Sequence, residues 1–368
     1  MRVCLAYPNK NPTYSETFIR NHMKHLHPEY ELTGGQWPYL TRDHISIFKS
    51  LLGVNLIRAA AKNLSPGIYH RIYTSSLKDF LKENRIDIVL AEYGPVGAKM
   101  VQGCLMAAVP LVVHFHGYDA FHYDTLRRNR KPYLSLFRNA RKIIVVSDEM
   151  NKQLISLGAP QSNIEKIPYG VDTRLFSGVK PFENDRVFIS VGRFTEKKGP
   201  DKTILAFHKA YQGDDRIRLW MIGDGELLTK CMHLAAQLRL EAAVKFLGVR
   251  SPEEIAGYHK KAYCFVQHSM KSRSGDSEGL PNTILEAMSS GLPVISTLHA
   301  GISEAVQHGV NGYLVPEGDI DGMAGYMNKI CEEPGKVEEM SRLARQSAVT
   351  NYNLEIQVEK LKNALTLR

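Results

Sequence analysis

The sequence predicts an α/β protein built from two doubly wound domains. Short apolar runs alternate with stretches of helical period along most of the chain. The alternation breaks between Gly170 and Asp185, where Pro181, two glycines and several charges interrupt it, and then restarts. At 368 residues, the chain also exceeds what one hydrophobic core ordinarily serves.

In the first series, Val3–Tyr7, Ile88–Ala91, Leu111–Phe115 and Ile143–Val146 read as buried strands. Ser15–Leu26, Val96–Met106 and Glu149–Leu157 read as helices between them. Asp43 to Lys62 places Ile45, Phe48, Leu52 and Leu56 on one side and Lys49, Arg58 and Lys62 largely opposite. Such a basic amphipathic helix suits packing on a core or lying on an anionic membrane. The second series has strands at Val187–Val191, Leu219–Ile222, Val244–Leu247, Cys264–Gln267 and Val294–Ser296. Its helices are expected near Asp201–Tyr211, Glu226–Leu238, Pro252–Lys260 and Pro281–Met288. Residues 320–368 read as helical, with Ile356, Val358, Leu361 and Leu365 at helical spacing near the end. Parallel sheets of this kind take ligands outside the carboxyl ends of their strands, so the cleft between the two domains is the expected active site.

Composition narrows the function classes. No apolar run approaches the roughly 18 residues that span a bilayer, and Val3–Tyr7 is too short for the apolar core of a signal peptide. Five scattered cysteines without a Cys-x-x-Cys pair point to a reducing cytoplasm. Residues 1–170 hold 22 Lys/Arg against 13 Asp/Glu, whereas residues 171–368 hold 25 of each, so the net charge of +9 belongs to the first half. That asymmetry fits a phosphate-bearing partner or an anionic membrane surface. No nucleic-acid recognition module accompanies it, and nucleic acid is not an expected partner.

The most informative segment runs from Gly275 to Met288, with Glu278 and Glu286 eight positions apart around Gly279-Leu280-Pro281-Asn282. Pro281 suits the first position of a helix, which places Glu278 in the loop before it and Glu286 one and a half turns inside. Backbone N–H groups at a helix start attract anions, and carboxylates on both sides can accept sugar hydroxyls. A sugar-phosphate ligand is the reading that uses all of these. Each glutamate could instead be an ordinary solvated or dipole-complementing residue.

After the strand ending at Val191 comes Gly192-Arg193-Phe194-Thr195-Glu196-Lys197-Lys198-Gly199-Pro200. Arg193 and Lys198, at a strand's carboxyl end and facing a helix start, suit a diphosphate; a solvated basic loop is the plain alternative. Gly223-Asp224-Gly225-Glu226 is a tight turn or a weak nucleotide loop, and it lacks the third glycine of a dinucleotide fingerprint. At the tip of another strand, His114 and His116 share one face and are followed by Gly117 and Asp119. Two imidazoles alone define no zinc site, so no metal is expected and His116 reads as a substrate-contacting group. Asp319-Ile320-Asp321 is read as a helix cap.

Taken together, these segments resemble a retaining glycosyltransferase of family 4. Arg193 to Asp319 carries most of the resemblance: the Gly-Arg…Lys-Gly loop, Glu278-x7-Glu286, Gly291-Leu292-Pro293-Val294, Gly301-Ile302-Ser303-Glu304 and Asn311-Gly312-Tyr313-Leu314 stand in the family's order. Pro168-Tyr169-Gly170-Val171-Asp172 matches the family's inter-domain segment, where Asn more often stands at Tyr169. Tyr14-Ser15-Glu16-Thr17-Phe18-Ile19 is similar to a bacterial polysaccharide-assembly subgroup and departs from the family's usual Gly-Gly loop, so no phosphate contact is carried over there.

The resemblance implies the GT-B fold: two Rossmann-like domains facing across a cleft. Residues 1–172 would bind acceptor and 173–350 the nucleotide-sugar donor, with 351–368 crossing back to the first domain. Arg193 and Lys198 would hold the donor diphosphate, Glu286 the ribose, and Glu278 the transferred sugar. The backbone of Gly279, Leu280, Pro281 and Asn282 would line the sugar and phosphate pocket, and His116 would face the reacting sugar. No cofactor is implied beyond a UDP- or GDP-linked sugar as substrate; the acceptor would be a glycan, lipid-linked or small-molecule hydroxyl. Two other functions remain open from residues alone. One is a non-catalytic sugar-nucleotide-binding subunit. The other is a glycoside hydrolase, whose retaining form needs carboxylates about 5–5.5 Å apart. Eight residues of continuous helix would span about 12 Å, but a hinge at Pro281 leaves that distance unfixed.

Overall fold

A computed structural model describes residues 1–9, 16–48, 66–211 and 216–366. The chain divides into two compact units, Met1–Ile167 with Val358–Arg368, and Pro168–Gln357.

The first unit is built on strands β1 (Val3–Ala6), β2 (Tyr30–Thr33), β3 (Leu40–Thr41), β4 (Ile88–Glu92), β5 (Leu111–His114), β6 (Lys142–Val145) and β7 (Ile164–Lys166). They form one sheet in the order β3-β2-β1-β4-β5-β6-β7, with only the β2–β3 pair antiparallel. Strands β1, β4 and β5 are buried along their whole length, as unbroken apolar runs covered on both faces should be. The order reverses between β1 and β4, the kind of switch point at whose carboxyl ends parallel sheets take ligands. Helices Thr17–Leu26, Gly94–Ala107 and Asp148–Ser156 stand close to their predicted positions. Helices Pro66–Glu83 and Tyr123–Asn139 were not predicted; the second contains Pro132, which breaks the sequence signal without ending the helix.

The expected helix from Asp43 to Lys62 lies mostly outside the described residues. Its described start, Asp43–Phe48, is not helical. Thr41 N–H donates to the Ile45 carbonyl (2.8 Å), Thr41 Oγ1 accepts from Ile45 N–H (3.1 Å), and Ser46 bridges Leu40. This turn spends the backbone groups a helix would need, and it leaves Ile45 exposed.

The second unit holds β8 (Arg186–Val191), β9 (Ile217–Ile222), β10 (Val244–Phe246), β11 (Cys264–Val266), β12 (Val294–Thr297) and β13 (Gly312–Val315). All pairs are parallel in the order β10-β9-β8-β11-β12-β13, which places the reversal between β8 and β11. Phe188, Phe207, Leu219, Cys264 and Val266 pack with Met323 and Met327 in its core.

The seam falls at Ile167/Pro168, a few residues before the predicted 172/173. Val171 N–H donates to the Tyr352 carbonyl (2.8 Å) and Leu354 N–H to the Val171 carbonyl (3.0 Å). A Cβ at Gly170 would collide with the Leu354 backbone, so glycine is what lets the two segments meet. The last helix, Leu354–Leu365, passes from the second unit into the first. Its buried stripe is Leu354, Val358, Leu361 and Leu365; Ile356, expected to belong to it, is exposed. Arg141 ties this return to the first unit by donating to the Thr366 carbonyl (3.0 Å). Among the described residues no helix is long and apolar enough to cross a membrane, and all five cysteines are buried and free.

Candidate active site

In the second unit, the switch point brings the basic loop after β8 against the segment after β11. The chain leaves β8 at Gly192, makes a 3₁₀ turn over Glu196–Lys198, and reaches helix Pro200–Tyr211 through Gly199. Gly199 has a left-handed φ of 53°, and a Cβ there would strike the His268 carbonyl. Only glycine therefore allows this loop to lie so close to the chain leaving β11. Lys198 Nζ sits 3.3 Å from Glu278 Oε1, and Lys197 Nζ sits 3.1 Å from Asp276. Arg193 is exposed at the strand end. Gly223-Asp224-Gly225 supports this loop from behind: Phe194 N–H donates to the Asp224 carbonyl and Leu227 N–H to the Phe194 carbonyl, both at 2.9 Å.

Helix Asn282–Ser290 begins one residue later than expected. Pro281 has an extended ψ of 119° and its carbonyl accepts from Ile284 N–H (3.1 Å), so it flanks the helix as the N-cap residue. No side chain caps this end. Leu280 is buried, and the Gly279 carbonyl accepts from Gly301 N–H (3.0 Å), which fixes the segment between Glu278 and Asn282. The helix ends at Gly291, with Ser289 and Ser290 still inside it. Asp319 caps helix Ile320–Glu332 by accepting from Gly322 N–H (2.8 Å), as expected.

The two glutamates differ in charge. Burial alone would raise Glu278, but Lys198 and then Lys197 bring its carboxyl down to about 2. Burial pushes Glu286 up to about 7, with Lys198 opposing, although the residue as a whole keeps some exposure. Lys198 itself is lowered by burial, with Glu278 opposing that shift.

In the first unit, Glu92 ends β4 and is fully buried. Its Oε1 lies 2.6 Å from His22 Nδ1 and its Oε2 lies 2.7 Å from His116 Nε2. Burial would raise Glu92, but His22 and His116 hold it well below the usual carboxylate range, so both imidazoles donate to it. Phe18 stacks on His116 at 4.0 Å, and Tyr93 meets it edge-on at 4.8 Å. Tyr93 also donates its hydroxyl to Glu16 (2.9 Å). Asp119 Oδ1 accepts from the N–H groups of His116 (2.8 Å) and Gly117 (3.1 Å), while Oδ2 accepts from Gly94 N–H (2.8 Å). That carboxylate joins the loops after β4 and β5 and fixes the backbone of His116. Burial and neighbouring His116 push His114 well below its ordinary value of 6.5, so it is neutral. Ligating atoms of His22, Glu92 and His114 lie within 4.8 Å of one another. However, the His22 and His114 rings stack at 25° and Glu92 is already shared between two imidazoles, which is a hydrogen-bond network more than a metal cage.

Of the sequence-derived site residues, Lys198, Glu278, Gly279, Leu280, Pro281, Asn282 and Glu286 gather in the second unit with Arg193 at its edge; His116 belongs to the first. Sequence reading missed Lys197, Asp276, His299 and Glu317 in one cluster, and His22 and Glu92 in the other. Glu92 had a local signal, a carboxylate ending an apolar strand just before Gly94-Pro95.

Comparison with known proteins decides the family. Residues 172–347 match the family described as glycosyl transferases group 1, and residues 41–175 match glycosyltransferase family 4. The amylovoran biosynthesis glycosyltransferase AmsK of Erwinia amylovora is 31% identical over 76% of this chain and 70% of its own length. The chain belongs to the family 4 glycosyltransferases. The putative colanic acid biosynthesis glycosyltransferase WcaL of Escherichia coli K12 is 30% identical over 76% of this chain and 70% of its own. HepE from Anabaena, solved with UDP-glucose, matches 99% of both chains with a TM-score of 0.77 at 20% identity. That likeness shows the GT-B fold in this family 4 glycosyltransferase. Group 1 enzymes of this fold use the nucleotide sugar as substrate and need no separate cofactor.

Proposed function

We propose that this chain is a retaining, metal-independent glycosyltransferase that moves a hexose-type sugar from a UDP- or GDP-linked donor to a glycan, lipid-linked or small-molecule hydroxyl. The observation that carries the reading is the Lys198–Glu278 pair, 3.3 Å apart at the β8/β11 switch point beside an uncapped helix start. An ammonium there can reach a phosphate oxygen while keeping Glu278 ionised for sugar hydroxyls. Glu286 is assigned to the ribose, the backbone from Gly279 to Asn282 to the sugar-phosphate, and His116 to the transferred sugar. HepE's complex with UDP-glucose and the 28% identity to an E. coli UDP-Gal:alpha-D-GlcNAc-diphosphoundecaprenol alpha-1,3-galactosyltransferase support a nucleotide donor and admit a lipid-linked acceptor.

Transfer breaks the bond between the anomeric carbon and the donor phosphate oxygen and forms a bond from that carbon to the acceptor oxygen on the same face. The departing phosphate oxygen takes the acceptor's proton. Lys198 and Arg193 stabilise the negative charge that grows on the diphosphate, and Glu278 anchors the sugar. In this reading the first unit receives the acceptor and the second the donor. The basic first half suits a peripheral position at the cytoplasmic face of an anionic membrane.

A screen of UDP- and GDP-sugars by thermal shift identifies the donor, since bound ligand raises apparent stability. Transfer assays with that donor, followed by NMR of the product's anomeric configuration, test the mechanism. An inverted product sinks retention, and donor binding without any transfer points to a non-catalytic subunit. Failure to bind anionic liposomes at low salt removes the membrane assignment.

A further inference from the structure

His299 is buried beside Glu278, Glu317 reaches it from an exposed position, and neither has a part in the mechanism above. Glu317 follows β13 and His299 follows β12, strands paired through Thr297 and Val315. Their carboxyl ends therefore deliver both side chains to one place. Glu317 Oε1 lies 2.6 Å from His299 Nδ1, and Glu317 Oε2 accepts from Lys271 N–H at 3.0 Å. On its other side, His299 Nε2 meets Ser277 Oγ at 3.1 Å and accepts from Glu278 N–H at 3.3 Å.

The chemistry of these partners fixes the tautomer. A backbone amide can only donate, so Nε2 offers its lone pair and the ring proton sits on Nδ1, directed at Glu317. The imidazole is thus oriented by a carboxylate, the arrangement that metal sites use to aim a histidine. Its side chain is 3% exposed. The same pair holds both ends of the loop from Lys271 to Glu278, one through Glu317 and the other through His299. Between them the loop folds on itself, with Ser272 N–H donating to the Asp276 carbonyl (3.0 Å) and Gly275 N–H to the Ser272 carbonyl (2.9 Å).

We propose that Glu317 and His299 are a positioning pair that brackets this loop and sets where the Glu278 carboxylate meets the transferred sugar. The proposal rests on the assignment of Glu278 to the sugar. Neither residue touches donor; they act by placing one that does. Such a pair governs the chemical step, because an offset of about 1 Å at a positioned group can cost 100-fold in rate. It leaves nucleotide binding alone, because ribose and phosphates use Glu286, Arg193 and Lys198.

Four variants test this: His299→Phe, His299→Gln, Glu317→Gln and Glu278→Gln, each titrated with UDP and GDP by calorimetry and assayed for kcat and donor KM. His299→Phe removes the acceptor and should lower kcat about 30- to 100-fold while nucleotide affinity stays within twofold of wild type. His299→Gln restores an acceptor near Nε2 and should recover most of the rate. Glu317→Gln lies outside the core and should fold even if His299→Phe does not; it should lower kcat with unchanged nucleotide affinity. Wild-type kcat in both His299→Phe and Glu317→Gln, or equal loss of nucleotide affinity and kcat, overturns the positioning role. Wild-type kcat in Glu278→Gln instead removes the sugar assignment on which the proposal stands.

Discussion

Lys198→Ala separates the two tasks the proposed mechanism gives one ammonium, holding Glu278 ionised and meeting the donor diphosphate. A carboxyl held at about 2 against an ordinary 4.5 gains about 3 kcal/mol from its surroundings. Lys198 is the foremost group lowering it, ahead of Lys197, and Lys197 is already committed to Asp276. Loss of Lys198 should therefore cost about 2 kcal/mol, read as a fall of about 4–8 °C in Tm. Because the folded pKa is depressed, this contribution is fully present above the unfolded value near 4.5 and is lost as pH falls through about 2. The Lys198→Ala deficit should accordingly shrink in acid. Turnover should drop about 100- to 1000-fold, the usual loss when one charge-stabilising donor is removed from a reacting centre. In Lys198→Ala/Glu278→Gln, where no buried carboxylate is stranded, stability should return and turnover should not. Calorimetry and initial rates with the identified donor provide both readings. Wild-type transfer by Lys198→Ala would refute the diphosphate contact, and an unchanged Tm would refute the electrostatic argument for Glu278.

Glu286, pushed up to about 7 by burial, is a neutral acid below that pH and a carboxylate above it. Donor KM should fall as pH rises through about 7, and Glu286→Gln should flatten the profile; an unchanged profile would argue against the ribose assignment. Glu92→Gln removes the charge shared by His22 and His116, and about 3 kcal/mol of stability should go with it. Since Glu92 is held below its ordinary value of 4.5, the loss should be full at neutral pH and diminish in acid, as denaturation at several pH values will show. Gly199→Ala forces a Cβ into the His268 carbonyl, so donor affinity and Tm should both fall; normal values would mean the loop relaxes easily. Exhaustive EDTA treatment should leave transfer intact, and loss restored by Mn²⁺ would contradict the metal-independent reading.

Much of the fold was readable because parallel, doubly covered strands write themselves as apolar runs. Val3–Ala6, Ile88–Glu92 and Cys264–Val266 need no partner in sequence to be recognised. The segment proposed to hold the donor was equally visible, since Glu278, the Gly-Leu-Pro-Asn turn and Glu286 lie within one short stretch. Local pattern failed where meaning depends on distant residues. His22 and Glu92 are 70 positions apart and become a pair only when β1 and β4 align. Lys197 carried no separate signal, yet the turn at Glu196–Lys198 sends it to Asp276 and Lys198 to Glu278. Tyr123–Asn139 was hidden by Pro132, and the turn at Asp43–Phe48 by an apolar spacing that mimics a helix.

The contact between Gly170 and Leu354 has a consequence for how such a chain can change. The second unit begins and ends at neighbouring points, joined by the bridge between Val171 and Asn353. A segment whose two ends meet is a cassette: it can be lifted out and replaced without re-routing the remainder. Exchanging residues 168–357 for those of a relative would need a glycine at position 170 and a chain that returns beside it. If the second unit binds the donor as proposed, donor choice would then be swapped wholesale, leaving the rest of the molecule untouched.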